Sequence, residues 1–256
     1  MTASVPAPVD GEVPDIPKME GANGINGFHK IDQTTAKSAT SGHNDTNTSR
    51  CSVPPNTDYA YKPRKMRVVT VGAGFSGLLM AYKFQHRFPE LQEFVDHTIY
   101  EARNDVGGTW LINTYPGVQC DVPAHIYAFP FDPNPDWSRF YSSGDEIQAY
   151  IKRTVKKWNL DRDLQLNTRV AGAFWEEDHG RWRLIIEHEG EQREEYCDVL
   201  ISAQGVLVHP SWPDIPGLSG FKGHTTHSAH WDHDFDYSNK RIAVIGNGSS
   251  GIQITP

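Results

Sequence analysis

Apolar and polar positions are unevenly spread along the chain. Residues 1–62 are rich in Pro, Gly, Ser, Thr, Asn and Asp, and their only aromatics are Phe28, Tyr59 and Tyr61. So little apolar surface cannot offset the entropy of ordering, so this stretch is expected to be a disordered tail ending in an extended arm at YAYKP. Patterning begins abruptly at Lys65. The β-branched run Met66 to Val71 (MRVVTV) predicts a strand buried on both faces. Ser76 to Arg87 predicts a helix through Leu78, Leu79, Tyr82 and Phe84, and His97 to Glu101 a second strand. Gly144 to Trp158 places Ile147, Tyr150, Ile151 and Val155 on one face at helical spacing. Two alternating runs, Arg169 to Trp175 and Trp182 to His188, flank a turn at Asp178-His179-Gly180 and predict a β-hairpin. Asp198 to Ala203 reads as a further buried strand, and Arg241 to Ile245 as a last one. Strands alternating with helices place the chain in the α/β class.

The junction after the first strand carries chemistry. Gly72-Ala73-Gly74-Phe75-Ser76-Gly77 follows a strand and opens a helix. In a dinucleotide site the first glycine makes the tight turn and the second lets backbone approach a pyrophosphate. The third permits close helix–strand packing, and the helix N-terminus offers free N–H groups to the phosphates. Glu101 ends the next strand 24 residues beyond Gly77, where a carboxylate accepts ribose hydroxyls. The plainer reading is a glycine-rich turn with a surface glutamate; strand, spacing and acid together favour binding. A second fingerprint, Gly246-Asn247-Gly248-Ser249-Ser250-Gly251, follows the predicted strand at 241–245 and implies a second dinucleotide.

Composition narrows the classes further. Against 24 basic residues stand 32 acidic ones, a net charge of −8, which disfavours a nucleic-acid partner held by bulk electrostatics. The longest apolar runs are far short of the roughly 20 residues of a membrane span. Cys51, Cys120 and Cys197 are widely separated and form no CxxC pair, which excludes a disulfide scaffold, a zinc ribbon and a dithiol redox centre. The N-terminus lacks a basic, then apolar, secretory pattern, so a cytoplasmic location is expected. His224, His227, His230 and His233 recur every three residues, but on a helix that spacing drifts around the surface and no carboxylate or cysteine completes a ligand set; no metal is expected.

Two longer motifs make the reading specific. Gly108 to Asp121 (GTWLINTYPGVQCD) fits GxWxxxxYPGxxxD, and Phe221 to Asp232 fits FxGxxxHxxxW followed by an acid. With the two fingerprints, these make the chain resemble flavin-dependent class B monooxygenases of the Baeyer–Villiger branch, most of all fungal members with a polar N-terminal extension. The resemblance covers roughly residues 63 to 256. It implies a Rossmann-like three-layer FAD-binding domain over 63–205 with a small antiparallel β insertion, a linker over 206–239, and an incomplete NADP-binding unit opening at 240–256.

The resemblance also assigns roles. Gly72, Gly74, Phe75, Ser76, Gly77 and Glu101 would hold the ADP half of FAD. Thr109 and Trp110 would line the flavin, and Asp121 and Tyr127 would lie near its ring or ribityl chain. Gln119 stands where relatives often have Arg near the nicotinamide, and Val170 where relatives make a backbone contact to adenine. Gly246, Asn247, Gly248, Ser249 and Gly251 would receive NADPH. Asp121 is the expected electrostatic organiser of catalysis, and His227 the hinge residue reaching the active site. Trp110, Trp231 and Tyr127 read equally as core aromatics, and Asp121 alone as a solvated turn carboxylate. The implied reaction inserts oxygen from O2 next to a ketone carbonyl, with secondary metabolism as its expected setting. Trp231-Asp232 argues against the N- or S-oxygenating branch, and an inactive FAD-fold remnant is the third reading. Relatives continue well past Pro256, so the chain is expected to be truncated, to bind FAD weakly and to turn over little alone.

Overall fold

The computed structural model describes residues 64–255; the tail expected over 1–62, and Cys51 within it, lie outside them. β1 (Met66–Val71) sits inside a four-stranded sheet of order β3-β2-β1-β7, with β2 (Val95–Tyr100), β3 (Leu164–Gln165) and β7 (Val199–Ser202), every neighbouring pair parallel. Val68, Val69 and Val71 are buried, which explains why this strand reads as a continuous apolar run rather than an alternating one. The registers end level: Val71 lies opposite Tyr100 on one side and Ser202 on the other.

One face of the sheet is covered by α1 (Phe75–Tyr82) and α3 (Gly144–Trp158), which share a core of Leu78, Ala81, Ile99, Ile147, Ile151 and Leu160. α3 has Asp145 and Glu146 in its first turn and Lys156 and Lys157 in its last, the order the helix dipole favours. It stops at Asn159, a left-handed residue (φ 51°) whose N–H donates to Val155. The other face packs against an antiparallel sheet, β4 (Thr168–Glu176), β5 (Arg181–His188) and β6 (Glu191–Cys197), through Leu184, Ile186 and Cys197 against Val69, Val71 and Tyr100. Helices, parallel sheet and antiparallel sheet are the three expected layers. A polar clamp joins the two sheets. Glu195 of β6 pairs with the Arg67 guanidinium and accepts the Tyr100 hydroxyl, while Arg67 Nη1 donates to Thr98 Oγ1 at 2.7 Å. Burial and the bond to Glu195 push the Tyr100 hydroxyl up to about 12.

Three expectations are corrected, and two strands were not foreseen. The helix expected from Ser76 to Arg87 is α1 followed by a wider turn, Lys83–Arg87, closed by Phe88 N–H to the Lys83 carbonyl. The hairpin is a three-stranded meander. β6, EQREEYC, was missed because an edge strand facing solvent tolerates charges that hide a strand pattern. The two-residue β3 is too short to leave a pattern. Arg241 to Ile245 is not a strand: no described strand lies beside it, so its backbone finds no ladder partner, and Ile242, Val244 and Ile245 are exposed. The 206–239 stretch holds one short 3-10 turn, Leu218–Gly220, and local ring packing, with His224 stacked on Phe235 at 3.9 Å and Trp231 on Tyr237 at 4.8 Å. No described helix is long and apolar enough to cross a membrane.

His97 on β2 is a buried titratable group beneath this sheet. Its Nε2 shares a 2.8 Å hydrogen bond with Thr70 Oγ1, Nδ1 has no partner, and burial lowers its pKa to about 4. The unfolded chain therefore binds this proton more readily, near pH 6.5, than the folded one does. The stability it confers is full above about pH 6.5 and falls as pH drops toward 4, by about 2–3 kcal/mol. His97→Gln, compared with the parent by urea denaturation at pH 7.5 and 4.5, is expected to remove most of that part of the acid sensitivity; an equal loss in both chains would disprove it.

Candidate functional site

The carboxyl ends of β1, β2 and β7 meet at the first glycine turn. Gly72 (φ 103°) donates its N–H to the Tyr100 carbonyl at 2.8 Å, and a Cβ there would come 2.6 Å from the Ala203 carbonyl oxygen. A Cβ on Gly77 would overlap the Gly72 carbonyl oxygen, so α1 crosses its own feeding turn backbone to backbone. The N-cap Gly74 offers no side-chain cap and the first turn holds no acid. The N–H groups of that turn thus lack an intrahelical acceptor and stand at the positive end of the helix. Beside them the buried Glu101 carboxylate accepts the Ala73 N–H at 2.7 Å and the Arg103 N–H at 2.9 Å. A carboxylate has about four lone-pair sites, which leaves acceptor capacity for ribose hydroxyls. These groups fit the pyrophosphate and ribose of a dinucleotide.

The next segment closes over that turn. Gly107 donates to the Ala73 carbonyl at 3.0 Å, and a Cβ on Gly108 would come 3.2 Å from Gly74 Cα, so two glycine backbones face each other. Gly108 (φ 56°) opens the short helix α2 (Thr109–Ile112), which starts at Thr109 and buries Trp110. The Trp110 indole N–H donates to the Tyr127 hydroxyl at 3.1 Å, and Phe75 packs edge-on against Tyr127 at 5.1 Å. Burial pushes the Tyr127 hydroxyl up, against the opposing effect of that indole bond. The structure therefore brings Phe75, Trp110 and Tyr127 together with the glycine turn. As packed rings they also meet the plainer reading.

The second glycine turn repeats the first. Gly246 has φ 116°, a Cβ on Gly251 would come 2.5 Å from the Gly246 carbonyl oxygen, and Gly248 is the uncapped N-cap of α4 (Ser249–Ile254). α4 lies on the segment that ends in Asp121. Ser249 Oγ donates to Asp121 Oδ2 at 3.2 Å, and Gln253 Nε2 donates to the Gln119 carbonyl at 3.0 Å. Gln253 Oε1 accepts the Tyr115 hydroxyl at 2.8 Å. Gln119 and Asp121 thus stand at the second turn as neighbours of α4.

Residues 65–256 match the family described as FMO-like, flavin-binding monooxygenase-like. The chain belongs to that family. It is similar to the FAD-binding monooxygenase tazF of Aspergillus terreus, 52% identical over 196 residues, which are 77% of this chain and 35% of tazF. It is also similar to a Baeyer–Villiger monooxygenase of Streptomyces coelicolor, 40% identical over 191 residues, 75% of this chain and 35% of that one. Among solved structures, OTEMO in complex with FAD and NADP superimposes with a TM-score of 0.64 and 32% identity, over 75% of this chain and 37% of that chain. The chain spans about a third of the length of these relatives.

Not every residue expected from the flavin-binding monooxygenase pattern gathers at these turns. Val170 lies on β4 against the inter-sheet core, beside a bulge, two residues past Thr168, whose N–H donates to the Glu101 carbonyl at 2.8 Å. His227 accepts the Ala229 N–H on Nδ1 at 3.1 Å and packs edge-on to Trp212 at 5.5 Å; among its described hydrogen bonds and ring contacts, none reaches either glycine turn. His233 does touch the 108–121 segment, sharing a 2.8 Å hydrogen bond with Thr114. His224 stacks on Phe235, His227 packs on Trp212 and the His230 backbone pairs with His227; among the described residues no group of three or more His, Cys, Asp or Glu could hold a metal ion. Gln253 was missed by sequence reasoning, and the only signal was its place four residues after Ser249 on the same helical face.

Two glycines separate packing need from backbone need. Gly77→Ala is expected to cost more than about 3 kcal/mol, since its methyl meets an immovable carbonyl. Gly180→Ala, at φ 59° in open space, is expected to cost only about 1 kcal/mol. Urea midpoints of the two variants check the order, and similar losses would contradict it.

Proposed function

We propose that this chain binds FAD at the first glycine turn and NADPH at the second, as part of a Baeyer–Villiger-type monooxygenase acting on a ketone of secondary metabolism. Membership of the flavin-binding family supports the flavin, and the names of the bacterial relative and of the FAD- and NADP-bound structure support the branch and the second cofactor. The observation that carries the reading is the uncapped, acid-free first turn of α1 beside the buried Glu101 carboxylate. In this reading 63–205 is the FAD-binding domain, 206–239 the linker and 240–256 the opening of the NADP domain.

The chain's own residues bind, orient and exclude water. Gly72 makes the turn, Gly74, Phe75, Ser76 and Gly77 present backbone N–H groups to the FAD pyrophosphate, and Glu101 accepts ribose hydroxyls. Val170 contributes backbone beside the adenine. Thr109, Trp110 and Tyr127 form an apolar wall for the flavin, and the Trp110–Tyr127 hydrogen bond fixes their mutual orientation. Gly246, Asn247, Gly248, Ser249 and Gly251 repeat the phosphate cradle for NADPH, with Gln119 beside it. Asp121, beside the second turn, would be the electrostatic organiser of the site, and His227 the hinge residue of the linker. Once bound, the flavin supplies the hydride acceptor and the activation of O2. The product is an ester or lactone.

Titration with FAD, followed by flavin fluorescence, tests the first turn. Glu101→Gln is expected to weaken FAD binding about tenfold or more, because a hydrogen bond to a charged acceptor is worth roughly 1.5–3 kcal/mol. Unchanged affinity would remove the carboxylate from the site. A protein containing this chain, given NADPH, O2 and matched ketones and thioethers, is expected to form esters; sulfoxide formation in their place would overturn the branch assignment.

A further inference from the structure

The two glycine turns share a backbone but differ in what their helices present to the rest of the protein. In α1, the first position after the glycine N-cap and the position four further on are Phe75 and Leu79, both packed against the apolar core. In α4 the corresponding positions are Ser249 and Gln253. Residues four apart share a helix face, and here both polar side chains reach the 115–121 segment. Ser249 donates to Asp121, and the Gln253 carboxamide donates to the Gln119 carbonyl while accepting the Tyr115 hydroxyl and, at 3.4 Å, the Gln119 N–H. Gly117 (φ 83°) gives way beneath it, since a Cβ there would overlap the Gln253 carbonyl oxygen. The side chain of Ile252, the apolar neighbour on α4, is instead exposed.

We infer that Ser249 and Gln253 are positioning residues, a hydrogen-bonded latch that ties the second glycine turn to the segment carrying Gln119 and Asp121. The inference rests on the reading of that turn as the NADPH site, and extends it. An apolar contact is held by exclusion of water, whereas a hydrogen-bonded one exchanges with water at little net cost. The contact of α4 with the flavin-binding half is therefore specific in direction yet readily released. A dinucleotide seated at Gly246–Gly251 is registered at Gln119 and Asp121 through the carboxamide of Gln253.

Amide hydrogen exchange on the 256-residue chain, read by mass spectrometry, tests this. Gln253→Leu, of similar size but without the carboxamide, is expected to speed exchange over 115–121 at least tenfold while β1 and β5 keep their rates. Gly117→Ala, which obstructs the same contact from the other side, is expected to reproduce the change. Unaltered exchange over 115–121 in both variants overturns the latch. So does a uniform rise across β1 and β5, the mark of general destabilisation. NADP+ added to the parent chain is expected to slow exchange over 246–254 and 115–121 together, with the second effect lost in Gln253→Leu. Equal protection of 115–121 in that variant overturns the coupling. If NADP+ protects neither segment of the parent chain, the nicotinamide assignment of the second turn fails, and the ligand-free comparison of variants still decides the latch.

Discussion

A helix can touch the strand that feeds it only if nothing projects where they cross. Gly72 and Gly77 meet that condition, with carbonyl oxygen against bare Cα, and much of the structure follows from it. Because α1 sits so close to the end of β1, its first turn opens at the level where β1, β2 and β7 end together. That common level puts the Glu101 carboxylate within reach of the Ala73 N–H, and Gly107 within reach of the Ala73 carbonyl. A side chain at Gly77 would lift the helix, and the acid, the turn and the Gly107–Gly108 backbone would no longer converge. Open α/β sheets bind ligands beyond the carboxyl ends of their strands, and this contact is what leaves backbone donors exposed there.

The layers hold that level fixed. β2 is shared by both cores: Ile99 packs under α1 and α3 on one face, and Tyr100 packs with Val69 and Val71 of β1 against Leu184 and Ile186 on the other. An apolar interface alone resists sliding poorly, because burial has no direction. The Arg67–Glu195–Tyr100 clamp adds direction, since its ion pair and hydrogen bonds join the start of β1, the end of β2 and the edge strand β6 at one setting. The start of β4 is tied in separately, through Thr168 to the backbone of Glu101. The antiparallel sheet therefore supports the first glycine turn from below.

Where a structural feature depends on neighbours close in sequence, it was legible. The first fingerprint, the amphipathic α3 with its charge order, and the two long strands of the meander all follow from local patterns. What failed to show depended on distant partners. β6 carries its identity in Cys197 and Tyr196 alone, and the run of Glu and Arg before them reads as loop until β5 is known to lie alongside. Arg241 to Ile245 errs in the opposite sense: its β-branched run has strand propensity, but a strand also needs a ladder, and among the described residues none is beside it. At the site, Glu101 and the glycines were legible because their chemistry fixes their spacing. Gln253 was not, because its partners lie more than a hundred residues away and nothing in its neighbourhood announces them.

The pair of glycine turns separates what is local in such a turn from what is not. Gly246 to Gly251 adopts the positive φ, the glycine–carbonyl contact and the uncapped helix start of the first turn, although residues 241–245 leading into it pair with no described strand. Among the described residues, the turn thus takes this form with no paired strand leading into it. The first turn has in addition a buried acid and a facing glycine backbone, which come from β2 and from the 107–108 segment. Free N–H groups attract any anion, whereas a carboxylate placed to meet ribose hydroxyls selects a nucleotide. The acid and the facing backbone thus belong to the long-range part of the fold, whereas the glycine string supplies backbone N–H groups alone.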